Sequence, residues 1–321
     1  MAGRRMDRRS FCRLAGGALI GAAAASRAQT SRGQLHLRYI LASSLYGRLP
    51  LATVLAQASA AYCEHLDIWP EKHANHREQL ESMGQARFAE LLVRHGVKLG
   101  ILTHYDLGPF ALQEEMRLAA QLGASMIVCG SGGPAGLAGR DLKTALADFI
   151  EKMKPHVAVA EDQGVTIAIE NHASSLVASV ESIRRFAEMI PSNHLGLALA
   201  PYHLPQDADL LADLIRYAGP RLVHFYAWQY GRGCHERLPK EQELLQMPGR
   251  GPLDFRPLIA ALAAINYQGW TEVFMHPVPR GIPILPAAAA VTAEINRSRA
   301  YLEECAAVSE KGTQTRPRED P

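Results

Sequence analysis

The chain has 321 residues, 48% of them hydrophobic, and a formal charge of +2, so it can bury a large core. The near-neutral balance, with its basic residues gathered at the N-terminus, gives no electrostatic reason to expect nucleic acid as a partner. The 5 cysteines show no CxxC or zinc-ribbon spacing and are expected as buried thiols rather than disulfides or metal ligands.

At the N-terminus, Arg8-Arg9-Ser10-Phe11 precedes an Ala/Gly/Leu-rich stretch, Leu14–Ala25, followed by Ser26-Arg27-Ala28. The stretch is too short for a membrane span and fits the apolar region of a signal peptide, with small residues where a peptidase cuts. The twin arginine followed by Phe11 resembles a twin-arginine translocation signal. Residues 1–28 are therefore expected as a signal peptide directing export to the periplasm, and 29–36 as a linker.

From Leu37 onward strand and helix patterns alternate. Leu37–Ala42 reads as a strand and Pro50–Cys63 as a helix. His65–Trp69 is a second strand, with one helix expected over Glu78–His95. Val97–Thr103 is a third strand, after which Pro109 is expected to open a helix to Leu122. Ser125–Gly130 is a fourth strand, and Asp141–Gln163 a long helix stopped by Gly164. Val165–Glu170 and the helix Ser179–Ile190 follow, then His194–Ala200 and the helix Gln206–Tyr217. Arg221–Trp228 is a seventh strand, trailed by a long loop, Gln229–Pro252, and the helix Phe255–Ile265. Gly269–Met275 is the eighth strand and Ala287–Cys305 the last helix. Eight such units with short connections imply a single-domain (β/α)8 TIM barrel over residues 37–306, with 307–321 a disordered tail. No GxGxxG follows the first strand and no P-loop occurs, which counts against a nucleotide-binding open sheet.

Barrel enzymes keep their chemistry where strands end. Here the β-branched run of Val165–His172 terminates in Glu170, Asn171 and His172. The strands around His224, and around Glu272 and His276, also put imidazole or carboxylate on apolar surroundings. Converging groups of this kind are what metal-assisted chemistry requires.

The segments EEMRLAAQLGASMIVCGSG, GVTIAIENHAS, LGLALAPYHL, RLVHFYAW and GRGPLDFRPLIAALAAINYQGWTEVF together resemble the sugar phosphate isomerase/epimerase superfamily. These are the xylose isomerase-like βα-barrels that include the second family of apurinic endonucleases. The resemblance implies a divalent metal held by a glutamate, an aspartate, a histidine and a glutamate on strands five to eight. Glu170 matches the first and His224 the third. Ala200 stands where the aspartate belongs, and His203, three residues on, matches a family histidine that contacts substrate or metal. The fourth position counts to Phe274, with Glu272 two residues earlier on the same strand face. The implied metal set is therefore Glu170, His203, His224 and Glu272. Its nitrogen content favours Zn²⁺, Co²⁺, Ni²⁺ or Fe²⁺ over Mg²⁺ on ligand softness, and the expected cofactor is a divalent ion, Mn²⁺, Co²⁺ or Zn²⁺. His104 and His276 are further metal or substrate candidates.

The resemblance also implies proton abstraction next to the carbonyl of a sugar or keto-sugar, with Glu170 and Glu272 as the catalytic pair. The outcome would be isomerisation or epimerisation, or β-elimination as in keto-glycoside lyases. A non-catalytic carbohydrate-binding barrel is the alternative that Ala200 supports. Trp69, His172, Tyr202, Trp228 and Arg250 are expected to bind substrate, with Tyr226 adding to an aromatic floor. Asp67 and Glu115 are candidates for sugar hydroxyls, and Arg232, His235 and Arg250 for a lid. The expected partner is a small sugar or glycoside, and the family's habit makes a homodimer an expectation.

Overall fold

A computed structural model describes residues 35–314. The expected signal segment 1–28, most of the expected linker 29–36 and residues 315–321 lie outside the described residues.

The apolar strand segments close on themselves. β1 (Arg38–Ala42), β2 (His65–Ile68), β3 (Lys98–Thr103), β4 (Met126–Gly130), β5 (Thr166–Glu170), β6 (Leu195–Leu199), β7 (Leu222–Ala227) and β8 (Trp270–Val273) pair in chain order as a closed barrel. Every pair is parallel, and β8 returns to β1 with Arg38 opposite Trp270. A parallel strand packed on both faces must be apolar nearly throughout; all five residues of β6, LGLAL, are buried.

The outer ring is α1 (Leu51–Ala58), α2 (His76–Met83), α3 (Gln85–His95), α4 (Gln113–Gln121), α5 (Gly139–Gln163), α6 (Val180–Met189), α7 (Ala208–Ala218), the short α8 (Lys240–Glu243), α9 (Arg256–Ala264) and α10 (Ala288–Gln314). The longer helices bury apolar stripes. On α9, Leu258, Ile259, Ala261 and Leu262 are buried, and each of the larger three contributes roughly 1.5–3 kcal/mol by leaving water. Ser179 starts α6 through a capping box with Ser182, which satisfies end groups that the helix cannot pair itself.

Three boundaries differ from expectation. The helix expected over Glu78–His95 is two helices, because Gly84, at φ +78, closes α2 and opens α3 in a conformation open to glycine and strained for other residues. Pro109 lies in a turn rather than a helix, and the first helical bond of α4 is Met116 N–H to Leu112 O at 2.8 Å. The last helix passes Cys305 and continues to Gln314, into the stretch expected as a tail. The four described cysteines are buried and form no disulfide.

Register sets which side chains meet at one level. Across the sheet, Gly130 lies opposite Glu170, Glu170 opposite Ala198, Ala198 opposite His224, and His224 opposite Trp270. Because strands tilt around a barrel, a shared row does not mean a shared depth.

Candidate active site

The C-terminal strand ends open into a cavity of about 720 Å³. Residues from the connections after β2 through β8 line it, the end of the barrel where this architecture places chemistry. Glu170 is the last residue of β5 and is 4% exposed. The Tyr105 hydroxyl donates a short hydrogen bond to Glu170 Oε2. The Tyr226 hydroxyl lies 3.5 Å from that of Tyr105. His203 Nε2 sits 3.7 Å from Glu170 Oε1 and has no hydrogen-bond partner.

Burial governs the protonation of this group. Removing a carboxylate from water penalises its charged form, and Glu170 is pushed up to about 8, against a smaller lowering by the Tyr105 hydrogen bond. His203 is pushed down to about 3 by burial, with His172 and His235 adding to the effect. Near neutral pH the cavity therefore pairs a mostly protonated carboxyl with a neutral imidazole. A carboxyl poised this close to physiological pH can both take and return a proton.

Aromatic rings form the walls. Tyr202 stacks on Trp228 at 3.9 Å and 10°, and Trp69 on Phe274 at 5.0 Å and 22°. Two imidazole pairs complete the lining, His172 with His203 at 4.3 Å and His73 with His276 at 4.4 Å. Such faces suit the C–H side of a sugar ring, while the imidazole edges offer hydrogen bonds.

Of the residues singled out from sequence, Glu170, His172, His203, Tyr202, Trp228, Trp69, His276 and His235 line this cavity. His224, Glu272, His104 and Arg250 do not, and each has a physical reason. His224 and Glu272 lie deeper in the barrel, where His224 Nε2 is 3.1 Å from Glu272 Oε2 and both side chains are fully buried. Along β7 the residues His224, Tyr226 and Trp228 share the inward face, and only the last reaches the mouth. On the strand that carries β8, Glu272, Phe274 and His276 repeat that ladder. Two residues along a strand shift a side chain by about 7 Å, enough to move it from cavity to core.

His104 points away from the barrel interior and stands 3.8 Å from Glu115 on α4. Glu115 is itself bound by Arg77 at 2.7 Å and is no sugar ligand in this arrangement. Asp67 is buried and accepts from Thr103 Oγ1 at 2.7 Å. Arg250 pairs with Glu294 of α10 at 2.6 Å, so it anchors the loop to the outer ring instead of reaching the cavity. Arg232 makes an exposed pair with Glu236. The loop after β7 is itself tied down. Gln246 accepts from Trp228 Nε1 at 3.1 Å and donates to His276 O at 2.8 Å, bridging the ends of the seventh and eighth strands.

Tyr105, His73, Phe274 and Arg280 line the cavity without having been assigned a site role from sequence. Tyr105 carried a usable signal: it follows His104 beyond the end of β3, and residues of an extended segment alternate sides. Choosing His104 there selects the wrong face.

The donors do not fit the divalent metal centre that the resemblance implies. At the end of β6, Ala200 offers only a methyl group, and its backbone N–H and carbonyl are both bonded to Asn171, at 2.7 and 3.0 Å. At the end of the eighth strand, Phe274 lines the cavity in place of a carboxylate. His224 and Glu272 lie below it, 3.1 Å apart, with neither side chain hydrogen-bonded. Among the described residues no group of three or more His, Cys, Asp or Glu is arranged to hold a metal ion. The expected set Glu170, His203, His224 and Glu272 is thus split between two depths.

The family profile described as "Xylose isomerase-like TIM barrel" matches residues 55–301. A D-psicose 3-epimerase of Agrobacterium fabrum is 29% identical over 124 residues, 37% of this chain and 37% of that protein. An inosose dehydratase of Clostridium beijerinckii is 28% identical over 138 residues, 40% of this chain and 45% of that protein. The chain thus spans under half the length of these curated relatives. Among solved structures, the IolI protein with a bound zinc atom superposes with a TM-score of 0.64 at 15% identity, covering 83% of this chain and 98% of that one; at that identity the likeness is one of fold. With a closed eight-stranded parallel barrel and a profile match over most of its length, the chain belongs to the xylose isomerase-like TIM barrel family.

Proposed function

We propose that this protein is an isomerase- or epimerase-type enzyme that moves a proton at a carbon next to the carbonyl of a sugar or keto-sugar. Glu170 takes that proton and, for isomerisation, returns it to the adjacent carbon; for epimerisation a second donor returns a proton to the opposite face. The observation that carries this reading is the Glu170 carboxyl itself: buried at the cavity floor, raised to about 8, held by Tyr105 and faced by an unpartnered His203 nitrogen. The aromatic walls orient the sugar's C–H face and exclude water, which keeps the carboxyl's affinity for the proton high. Tyr105 fixes one carboxyl oxygen, leaving the other toward the substrate carbon. The neutral His203 imidazole accepts or donates at a substrate oxygen as charge develops there. Because the donor set does not match a family-type metal centre, each of these roles is assigned to protein groups.

Elimination of a β-hydroxyl would use Glu170 for both transfers: the carboxylate takes the α-proton and hands it to the departing oxygen, which leaves as water, while His203 orients that oxygen. The partial relationship to an inosose dehydratase supports it as the second reading. The export motif at Arg8-Arg9 supports work in the periplasm, on free sugars or glycosides rather than phosphorylated intermediates.

The test is hydrogen exchange in D₂O. The purified protein is incubated with a panel of ketoses and inososes, and loss of the α-proton signal is followed by NMR, with and without added Mn²⁺, Co²⁺ or Zn²⁺. Exchange that disappears in Glu170→Gln is the expected result. Saturable sugar binding with no exchange on any substrate, under any of these conditions, would leave a non-catalytic carbohydrate-binding barrel instead.

A further inference from the structure

Two cations at the cavity rim lack an anionic partner among the described residues. Arg280 is half-buried, and its guanidinium donates to Pro277 O at 2.7 Å and to Cys234 Sγ at 3.2 Å, both neutral acceptors. The Lys72 ammonium is exposed and makes no hydrogen bond or ion pair among the described residues. Glu71, next to Lys72 in the chain, is already bound by Arg48 at 2.7 Å.

Both charges are felt at one ring. Burial pushes His73 down to about 3, with Arg280 and then Lys72 adding to the effect, and the ring stacks on His276 at 4.4 Å. His73 Nδ1 is buried and has no partner. An unpaired buried ring nitrogen costs stability unless something meets it. A restrained guanidinium, a free ammonium and an unmet imidazole nitrogen on one side of a cavity make an anion-binding arrangement.

We infer that the substrate carries a carboxylate, seated between Lys72 and Arg280 against the His73–His276 stack, with its carbonyl carbon directed to Glu170. This rests on the proposed proton-transfer reading and narrows its substrate to sugar acids. A phosphate at a barrel mouth is ordinarily met by a helix N-terminus or a run of backbone N–H groups. The helices nearest in chain to these cations, α2 and α10, begin at His76 and Ala288, and neither contributes a residue to the cavity lining. That favours the carboxylate.

Calorimetric titration with D-glucuronate, D-glucose and D-glucose 6-phosphate, which share a carbon skeleton, tests the assignment. The acid binds roughly ten- to hundredfold more tightly than glucose, as a charge-assisted contact provides, and added salt erodes the difference. Arg280→Gln and Lys72→Gln each remove most of that preference while glucose affinity stays within about twofold, as expected when only the charged contact is lost. The Lys72 ammonium is exposed and unbonded, so its replacement removes no contact that the fold uses. Equal affinity for acid and neutral sugar overturns the inference, as do tighter binding of the phosphate, equal weakening of all ligands in the variants, or no binding of any. Acid preference without α-proton exchange would instead retain the anion site and remove the catalytic reading; exchange on neutral ketoses without acid preference would do the reverse.

Discussion

Glu170→Gln is the most informative perturbation, because the same burial that suits Glu170 to proton transfer makes its ionised form costly to the fold. The folded-state pKa is about 8 against an ordinary value of 4.5. The folded protein therefore holds a proton that the unfolded chain releases, and stability must fall as pH rises between those values. Below about pH 4 both states are protonated and the group contributes no difference; above about pH 8 both are ionised and the penalty is complete. At about 1.4 kcal/mol per pKa unit, the full penalty is on the order of 5 kcal/mol, an upper figure for a group that some water can reach. Glutamine has the same shape, stays neutral at every pH, and still accepts from Tyr105. The variant should match wild type near pH 4 and exceed it by several kcal/mol at pH 9, in urea denaturation series across that range. Asp67 and Glu272 are also raised by burial, and both proteins carry them, so most of the difference curve belongs to Glu170, with a smaller part from relief of its repulsion on Glu272. The variant should lose roughly 10²–10⁴ in rate, and wild-type kcat/KM should climb with pH toward a midpoint near 8. A stability difference that is flat with pH, or a variant that keeps its activity, would refute the reasoning.

Glu272→Gln should leave α-proton exchange within about threefold of wild type, since a group outside the cavity gives no proton to substrate; its fully buried carboxyl is held in the protonated form by burial. A loss comparable to that of Glu170→Gln would return Glu272 to the chemistry. Trp228→Leu removes the ring stacked on Tyr202 at 3.9 Å and should raise KM by roughly threefold to tenfold, with kcat much less affected, given about 0.5–1.5 kcal/mol for an aromatic pair; steady-state kinetics separate the two. Mass spectrometry of protein recovered from the periplasm should find the mature chain beginning after Ala28, and a Lys-Lys replacement of Arg8-Arg9 should block export; an intact Met1 on the exported protein would contradict the signal assignment.

Much of this architecture was legible along the chain. Alternating apolar segments bounded by polar connections specify parallel strands covered by helices, and eight of them close a barrel. Glu170 was legible for the same reason, since a carboxylate ending a buried strand must open onto the mouth or remain unpaired. Trp69, Tyr202 and Trp228 sit near strand ends and fall into place with it. The break at Gly84 could also be anticipated, because a lone glycine inside a helical pattern marks the residue able to take positive φ.

Depth inside the cylinder was decided by the tertiary structure. A strand's period of two fixes the face on which a side chain lies, so Glu272 and His276 read alike, as do His224 and Trp228. Which of them reaches the cavity depends on strand stagger and tilt, and those arise from pairing between segments distant in sequence. Partner choice is equally non-local: Arg250 is taken by Glu294 and Glu115 by Arg77, contacts that no spacing rule specifies. The chain's own order of residues thus determined the barrel and its acid, while the packing of remote segments determined which neighbours that acid has.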